Sequence, residues 1–436
     1  MMNTFNYRDL TAEELNALCR RPRIRYGDLI ETVEPIIEDV RQRGDAAVIE
    51  YTRRFDGTEP SPLVVSPQEI EVSLKPGLKK AIDQAFQNIF RFHKEQLQPE
   101  LVVETMPGVV CRRMARPIER VGLYIPGGTA PLPSTAMMLG IPAQLAGCKT
   151  IVMATPPEKE GNVPDALVYI AQKAGVSAIL KAGGAQAIAA MAWGTESLPK
   201  VDKIFGPGNQ YVTVAKMLLQ NSDAMVSIDL PAGPSEVLVI ADGQADPEFV
   251  AADLLSQAEH GSDSQVVLIL PETADSTAIE SELQKQLNAL PRKEIASMAL
   301  EKSFILRVPD SDAAIRFSNL YAPEHLILHT ADAEHLTEKV TNAGSVFVGK
   351  WTPESLGDYA SGTNHTLPTY GYAKMYSGVS LQSFKTFITV QQSSPEGLKR
   401  LGPTVEILAE EEGLLAHKNA VTLRLNRISA EEQRIR

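Results

Sequence analysis

The apolar positions of this 436-residue chain follow two different periods. From about residue 29 to 95 they recur at helical spacing, as in Leu29, Val33 and Ile36, which predicts mostly helix. From about residue 108, short β-rich runs alternate with helical stretches, and the early runs end at turns rich in glycine and proline. Repeated βα units of this kind fold into a parallel sheet with helices on both faces, because the crossovers are right-handed.

The β-rich runs form two consecutive series, which predicts two α/β units in tandem. The first series comprises residues 121–125, 150–154, 178–181 and 203–205, with helices predicted near 134–147, 164–175, 185–193 and 210–220. The second comprises residues 236–240, 265–269, 304–308, 326–328 and 345–348, with a helix up to His260, one near 272–289 and one from Ala313.

The two ends of the chain follow a different pattern. Residues 1–22 are polar with a weak helical period, so we expect an appended arm. After about residue 380, a strand at 384–390, a turn at 393–397 and a closing helix at 403–425 are predicted. This tail is too short to form a core of its own, so we expect it to dock elsewhere.

Composition excludes several classes of protein. With 44% hydrophobic and 22% charged residues the chain is typical of a globular protein, and a formal charge of −12 without a basic block argues against nucleic-acid binding. Cys19, Cys111 and Cys148 are odd in number and widely spaced, which fits neither a disulfide framework nor a CxxC metal site. Without an apolar run long enough for a membrane span or an export signal, we expect a cytoplasmic protein.

Three glycine-containing turns follow strands of the first series, at residues 124–128, 182–186 and 205–209. The carboxyl ends of parallel strands are where α/β sheets bind nucleotides and phosphates. None of the turns matches the dinucleotide fingerprint GxGxxG, and each glycine taken alone is explained by a tight βα turn. Three such turns in one sheet favour a nucleotide site.

Several histidines lie in short polar clusters that suit metal binding or proton transfer. Gln257 and His260 are three apart on a predicted helix and share one face, as metal ligands would, although a helix end that turns into Gly261 also explains His260. Asp358 belongs to a polar stretch, residues 355–365, that is longer than a connection needs. This stretch is interpreted either as a functional loop or as a surface Ω-loop.

Two further clusters combine acids with histidine. Glu324 and His325 offer two bases of different strength, one able to take an alcohol proton and one able to activate water, although an exposed ion pair is the alternative. Glu412 and His417 fall within two helical turns of each other, where a solvated helix face is the alternative. Cys111 and Cys148 are candidate nucleophiles for an aldehyde, but no general base lies near them in the sequence.

Seven short sequence motifs of this chain are similar to motifs of the histidinol dehydrogenase family and occur in the same order. They are Val121-Gly-Leu-Tyr-Ile-Pro-Gly-Gly128, Val201-Asp-Lys-Ile-Phe-Gly-Pro-Gly-Asn209, Asp229-Leu-Pro-Ala-Gly-Pro-Ser-Glu236, Leu255-Ser-Gln-Ala-Glu-His-Gly261, Ala322-Pro-Glu-His-Leu326, Gly357-Asp-Tyr-Ala-Ser-Gly-Thr-Asn-His365 and Ala416-His-Lys-Asn-Ala420. The resemblance extends from about residue 20 to 425.

The resemblance implies an enzyme of histidine biosynthesis that oxidises L-histidinol through the aldehyde to L-histidine, with two NAD and one zinc ion per subunit. It implies Glu324 and His325 as the catalytic pair. The remaining implied roles are zinc binding for Gln257, His260, Asp358 and His417, NAD binding for Tyr124, Gln186 and Asn209, and substrate binding for Ser235, His325 and Glu412 together with the zinc ligands.

The resemblance also implies an architecture, an intertwined homodimer in which the C-terminal tail crosses to the partner subunit and brings Glu412 and His417 into the partner's site. The expected division is an arm at 1–22, a catalytic α/β domain at 23–123 plus 235–380, a Rossmann-like NAD-binding domain at 124–234 and a tail at 381–436. No thiol is needed, so Cys111 and Cys148 are interpreted as buried small residues. A zinc hydrolase that uses Glu324 and a catalytically silent binding protein are the competing hypotheses.

Overall fold

The computed structural model describes residues 2–21, 26–127, 132–230 and 233–435. The chain forms two compact units, the first from Met1–Gln96 and Ile118–Phe384 and the second from Leu97–Pro117 and Lys385–Arg436. We call them the large unit and the small unit.

The strands and helices are listed here in chain order. The strands are β1 (Asn3–Asn6), β2 (Val64–Val65), β3 (Leu101–Met106), β4 (Val109–Pro117), β5 (Arg120–Tyr124), β6 (Thr150–Thr155), β7 (Ala178–Lys181), β8 (Lys203–Phe205), β9 (Ser227–Ile228), β10 (Glu236–Ala241), β11 (Gln265–Pro271), β12 (Phe304–Val308), β13 (His325–His329), β14 (Ser345–Val348) and β15 (Lys385–Ser393). The helices are α1 (Ala12–Leu18), α2 (Tyr26–Arg43), α3 (Asp45–Asp56), α4 (Pro76–Lys94), α5 (Pro133–Ala146), α6 (Asp165–Lys173), α7 (Gly184–Trp193), α8 (Gln210–Gln220), α9 (Pro247–Ala258), α10 (Thr277–Ala289), α11 (Lys293–Leu300), α12 (Ser311–Tyr321), α13 (Ala333–Thr337), α14 (Glu354–Tyr359), α15 (Pro395–Glu411) and α16 (Leu415–Ile435).

The large unit contains two six-stranded sheets of related topology. The first sheet has the order β2-β7-β6-β5-β8-β9 and the second the order β1-β12-β11-β10-β13-β14. All neighbouring strands are parallel except the short β2, which pairs antiparallel with β7. In both sheets the chain passes from a central strand (β5 or β10) through two further strands on one side and then returns to add two strands on the other side, as in a doubly wound fold. The predicted α/β fold with parallel, Rossmann-like sheets is therefore confirmed.

Helices cover both faces of each sheet, and the buried side chains between these layers are mostly aliphatic. On one face of the first sheet, Val33 and Val40 of α2 pack in the same core as Val152 and Ile204 of the sheet. The central strands are buried on both faces, which explains why they are nearly continuous apolar runs in the sequence. The helices predicted between residues 29 and 95 thus belong to the core of the first sheet.

The N-terminal residues differ from the expectation of an appended arm. Strand β1 pairs in parallel with β12 and forms an edge of the second sheet, with Asn3 opposite Phe304. Thr11 then caps α1, since its side chain accepts from the backbone N–H of Glu14. Residues Pro22 and Arg23, where the predicted boundary of the arm falls, lie outside the described residues, and the domain division stays a prediction.

The small unit combines the C-terminal tail with a hairpin from the middle of the chain. Strand β15 pairs antiparallel with β4, which pairs antiparallel with β3. The predicted single closing helix is instead two helices, α15 and α16, separated at Gly413, which has a φ of +70°. Gly402 of α15 lies against Leu425 and Val421 of α16, so the helices approach closely. The tail therefore pairs with a hairpin from the middle of the chain, and its docking on a partner subunit stays a prediction.

Two smaller expectations are also corrected. Cys111 and Cys148 are half-buried rather than buried. The polar stretch from residue 355 was predicted as a loop, but its first residues belong to the short helix α14. The loop begins only after this helix ends at Tyr359. In the part of the chain that the structure describes, no helix combines the length and the apolar composition that a bilayer span requires.

A buried ion pair in the first sheet gives a test of this packing. Lys216 and Asp229 form a salt bridge with side-chain exposures of 5% and 2%, and the Lys216 ammonium also donates to the Gly206 carbonyl. Asp229→Asn would leave the ammonium buried without its counter-charge, so we expect a loss of about 3–5 kcal/mol in the free energy of unfolding. Urea unfolding measures this loss.

The matched control is Asp312→Asn, which removes the exposed salt bridge between Asp312 and Lys339. We expect a loss below about 1 kcal/mol for this variant, since exposed pairs contribute little. Equal losses in the two variants would contradict the burial of the Lys216 and Asp229 pair.

Candidate active site

A cavity of about 880 Å³ opens at the carboxyl edge of the first sheet. Tyr124 ends β5, Gln186 lies in the first turn of α7 after β7, and Asn209 follows β8. All three line this cavity. Since β5 and β8 are neighbours at the point where the strand order reverses, the cavity lies where doubly wound sheets bind nucleotides.

The three side chains present complementary polar atoms. The hydroxyl oxygen of Tyr124 accepts from the Gly184 N–H at 3.0 Å, and burial raises the pKa of this phenol to about 12, so it remains protonated. Gln186 is buried, and neither its side-chain oxygen nor its nitrogen has a hydrogen-bond partner among the described residues. Such orphaned groups suit a polar ligand, and the cavity therefore fits a nucleotide cofactor.

The turn that carries Asn209 depends on glycine. Gly206 has a φ of +123°, and a Cβ at this position would collide with the backbone oxygen of Tyr124. Asn209 begins α8 by accepting from the backbone N–H groups of Tyr211 and Val212, both at 3.1 Å. This cap uses only the oxygen of the amide, so its NH₂ group is left for a ligand. Of the first predicted turn, Gly128 lies outside the described residues.

A second cavity, of about 480 Å³, lies at the amino edge of the second sheet. Its lining includes seven of the predicted site residues, which are Asn209, Ser235, Gln257, His260, Glu324, His325 and Asp358. His325 opens β13, Ser235 precedes β10, and Gln257 lies in the last turn of α9. Asn209 and Tyr211 line both cavities, so the two cavities adjoin.

Parallel pairing of β10 with β13 determines which acids meet at this edge. Val237 is opposite His325, so Glu236 and Glu324 lie side by side. The backbone N–H of Glu236 donates to the Glu324 carboxyl at 2.9 Å, and the backbone N–H of Glu324 donates to the Glu236 carboxylate at 3.3 Å. Arg21 neutralises Glu236 through two hydrogen bonds of 2.7 and 2.9 Å. The charged network therefore fixes the position of Glu324.

His325 is buried among acceptors. Its Nδ1 lies 3.1 Å from the backbone oxygen of Glu236, and its Nε2 lies 3.2 Å from Asp358 Oδ1. Burial alone would lower the pKa of His325, but Glu324, Glu354 and Asp358 outweigh it and raise the pKa well above its usual value. Burial also raises the pKa of Glu324 to about 8. This pair thus holds protons that ordinary side chains would have lost.

Three of the predicted zinc ligands meet in the second cavity. The Gln257 side chain is buried, and its oxygen has no partner among the described residues. Burial lowers the pKa of His260, which keeps the imidazole neutral, and despite burial His325 keeps the pKa of Asp358 low, which keeps it anionic. A neutral imidazole, an amide oxygen and a carboxylate fit a divalent cation such as zinc. Among the described residues, however, His, Cys, Asp and Glu side chains alone form no group of three suited to a metal.

Two predicted site residues belong to the small unit. Glu412 caps the C-terminal end of α15, and His417 lies in the first turn of α16. The large unit by itself therefore contains Gln257, His260 and Asp358 but not His417, and Ser235 but not Glu412.

Sequence reasoning missed several residues of the site region. Glu236 is a charged residue that opens a fully buried apolar strand, a signal that was available in the sequence. Glu354 is buried and accepts from the amide of Gln257, and no sequence period pointed to it. His365 lines the cavity, and its two nitrogens lie 2.8 Å from the Asp358 backbone oxygen and 3.1 Å from Thr135 Oγ1.

The chain is similar to known proteins of one family. The family model described as histidinol dehydrogenase matches residues 19–425. The chain is 61% identical to the chloroplastic histidinol dehydrogenase of Oryza sativa subsp. japonica, over 98% of this chain and 91% of the relative. The chain belongs to the histidinol dehydrogenase family.

Further members support the same family. The histidinol dehydrogenase of Schizosaccharomyces pombe is 56% identical, over 95% of this chain and 96% of that protein. The crystal structure of histidinol dehydrogenase from Elizabethkingia anophelis superposes with a TM-score of 0.93 at 50% identity, covering 98% of this chain and 99% of that one. As a member of this family, the protein is an NAD-dependent dehydrogenase of histidine biosynthesis.

A buried acid behind the site predicts an unusual pH dependence of stability. Burial raises the pKa of Asp253, on α9, from 3.8 to about 7. Because the folded protein holds this proton more tightly than the unfolded chain does, the contribution to stability is complete below about pH 4 and is lost as the pH rises to about 7. Asp253→Asn keeps the neutral form at every pH. Its free energy of unfolding, relative to wild type, should therefore rise over this range and then level off.

Urea unfolding of metal-free protein at a series of pH values measures this difference. Asp312→Asn is the control, because Lys339 lowers the pKa of Asp312 and the relative stability of that variant should not rise over the same range. A constant difference between Asp253→Asn and wild type across pH 4 to 7 would contradict the assignment.

Proposed function

We propose that this protein oxidises L-histidinol to L-histidine through L-histidinaldehyde, with two NAD and one zinc ion per subunit. The observation that carries the proposal is the common wall of the two cavities, where Asn209 and Tyr211 face both the polar nucleotide cavity and the cavity with Glu324 and His325. A dinucleotide in the first cavity would thereby present its reactive end to a substrate in the second. The compartment that we propose is the cytoplasm.

The cavity residues suit a substrate that carries an imidazole and an amine. Gln257, His260 and Asp358 would hold zinc together with His417, and zinc when bound would act mainly as a template for the imidazole and amine of histidinol. Ser235 and Glu412 would bind the polar groups of the substrate. Asp358, which is anionic beside His325, disfavours an anionic substrate at this position, whereas a neutral or cationic amino alcohol is tolerated.

His325 would take the hydroxyl proton in the first oxidation, while NAD accepts the hydride from carbon. In the present arrangement both ring nitrogens donate, so the ring has no lone pair for a proton. If Asp358 Oδ1 bound a cation, it would no longer accept a hydrogen bond from His325 Nε2. The bond from Nδ1–H to the Glu236 oxygen then fixes the tautomer in which Nε2 is the base.

Glu324 would act in the second oxidation by removing a proton from the water that adds to the aldehyde. The aldehyde oxygen takes back the proton that His325 accepted in the first oxidation, so the resulting hydrate has a hydroxyl and a carbon-bound hydrogen like the alcohol. His325 is then unprotonated again and can repeat its role while a second NAD accepts the hydride. A carboxylate with a pKa near neutrality is suited to this exchange of protons. The reaction releases the acid, and no covalent bond to the protein is required.

The dehydrogenase is favoured over a zinc hydrolase on the same scaffold by the nucleotide cavity. A hydrolase needs only the second cavity. In a hydrolase the buried amide of Gln186, which has no hydrogen-bond partner among the described residues, would have no ligand to bind. The cysteines offer no alternative chemistry, because neither Cys111 nor Cys148 lines the second cavity in the described part of the chain.

We further propose a homodimer in which the small unit of one chain contributes Glu412 and His417 to the partner's site. The support is the composition of the surface of this unit, where large apolar side chains are exposed in the single chain. They are Leu101, Val102, Val103, Phe387, Ile388, Ile407, Leu408, Leu414, Leu415 and Leu423. Exposed apolar surface of this extent is typical of an interface between subunits.

Glu324→Gln separates the two oxidations. We expect the variant to lose activity with histidinaldehyde by about 10²–10⁴-fold, the usual contribution of a general base, and to lose less in the first hydride transfer from histidinol. Rapid-mixing measurement of NADH formation from each substrate distinguishes the two steps.

Glu338→Gln is the matched control, because Glu338 also lies beside a histidine, His335, but both are exposed and neither lines either cavity. It should behave as wild type. Equal losses of both steps in Glu324→Gln would show that the water-activating role is misassigned.

Exchange of the tail is tested by complementation between two inactive variants. If His417 serves the partner's site, Glu324→Gln and His417→Asn chains refolded together form mixed dimers with one intact site. With random pairing about half of the dimers are mixed, so about a quarter of all sites should be active. Activity near that fraction supports the exchange, whereas an inactive mixture of demonstrated mixed dimers would contradict it.

A further inference from the structure

The buried carboxylate of Glu354 is in contact with a proposed metal ligand, yet it does not line the cavity that contains the other predicted site residues. Glu354 is the first residue of α14, and Gln257 is in the last turn of α9. Both side chains are 1% exposed. The amide nitrogen of Gln257 donates to Glu354 Oε1, and Ser256 Oγ donates to the same oxygen at 3.5 Å. Glu354 is thus located behind Gln257.

This contact determines which way the Gln257 amide faces. Burial raises the pKa of Glu354 to about 8, but Oε1 accepts whether the group is ionised or carries its proton on Oε2, so the NH₂ side of the Gln257 amide faces Glu354. The opposite atom, Gln257 Oε1, is the one that has no partner among the described residues. A rotation of the amide by half a turn would direct its oxygen against the carboxylate and its NH₂ toward a cation, which is unfavourable on both sides.

The contact also changes the strength of the ligand. A neutral amide oxygen is a weak donor to a metal, but a hydrogen bond from its NH₂ group to Glu354 shifts electron density toward that oxygen, and it does so most strongly when the carboxyl group is ionised. Partners behind metal ligands commonly act in this way, by fixing orientation and raising basicity. The remaining Glu354 oxygen, Oε2, has no partner among the described residues, so Oε1 carries the effect.

We propose that Glu354 is a positioning residue, which holds the Gln257 amide with its oxygen directed to the divalent cation and strengthens that oxygen as a ligand. The inference rests on the proposed zinc site. It assigns Glu354 no contact with substrate or cofactor.

Zinc affinity of the purified full-length protein tests the proposal without reference to activity. Competition with a chromogenic chelator gives the dissociation constant for wild type, Glu354→Met and Glu354→Gln. Methionine has a similar length but accepts no strong hydrogen bond, so zinc binding should weaken about 10- to 100-fold. Glutamine retains one accepting oxygen without the charge, so its effect should lie between the other two. Circular dichroism establishes that each variant is folded.

A reversal of donor and acceptor provides the decisive control and remains informative if Glu354→Met fails to fold. Gln257→Glu alone places two carboxylates in contact, and zinc binding should weaken. In Gln257→Glu/Glu354→Gln the new amide at position 354 can donate to the new carboxylate, which restores the orientation. The double variant should therefore bind zinc more tightly than Gln257→Glu alone, a coupling that independent residues would not produce.

The outcomes separate the two proposals. If the wild type binds zinc and Glu354→Met binds it equally well, the positioning role is wrong while the zinc site stands. Absence of recovery in the double variant would likewise overturn the positioning role. If the wild type does not bind zinc at all, both proposals are wrong.

Discussion

Pairing between β10 and β13 is the constraint on which the candidate active site depends. It places Glu236 and Glu324 side by side at the amino edge of the second sheet, each receiving a backbone N–H from the other's strand. Two buried carboxylates side by side would repel each other unless positively charged side chains compensate them. Arg21 compensates Glu236, and His325 lies within 3.6 Å of Glu324. Displacement of this pairing by one residue would bring apolar side chains into the cavity.

The two sheets contribute opposite edges to the active region, and this division corresponds to a division of chemistry. The carboxyl edge of the first sheet provides glycine turns, a helix N-terminus and the Gln186 amide, which has no hydrogen-bond partner among the described residues. These features suit a dinucleotide. The amino edge of the second sheet provides buried acids and imidazoles, which suit proton transfer and a cation. Because Asn209 and Tyr211 belong to both cavities, two successive oxidations can proceed without transfer of the intermediate to another site.

The sequence predicted most of the strands and helices of the large unit, because parallel strands buried on both faces are continuous apolar runs. It failed where exposure removes that signal. Strand β3 has the exposed residues Leu101 and Val102, and the closing helix is divided by Gly413. Asp358 was expected in a loop but lies in α14, a helix too short to produce a recognisable period.

Some residues of the candidate site were predicted from the sequence and others were not. Motif residues such as Gln257 and Asp358 were found through a family resemblance, whereas Glu354 and Arg21 act through contacts between distant segments. Arg21 reaches Glu236 across 215 positions of sequence, and no local pattern encodes such a contact. Supporting residues of this kind are therefore accessible from the fold alone.

We propose that one site performs both oxidations, and the amount of NADH formed per histidinol consumed tests this proposal. Zinc-loaded protein is incubated with excess NAD and a limiting amount of histidinol, and the NADH formed per histidinol consumed is measured. We expect two NADH and one histidine for each histidinol, without accumulation of free aldehyde. One NADH per histidinol with aldehyde as the product, or no NADH at all, would contradict it.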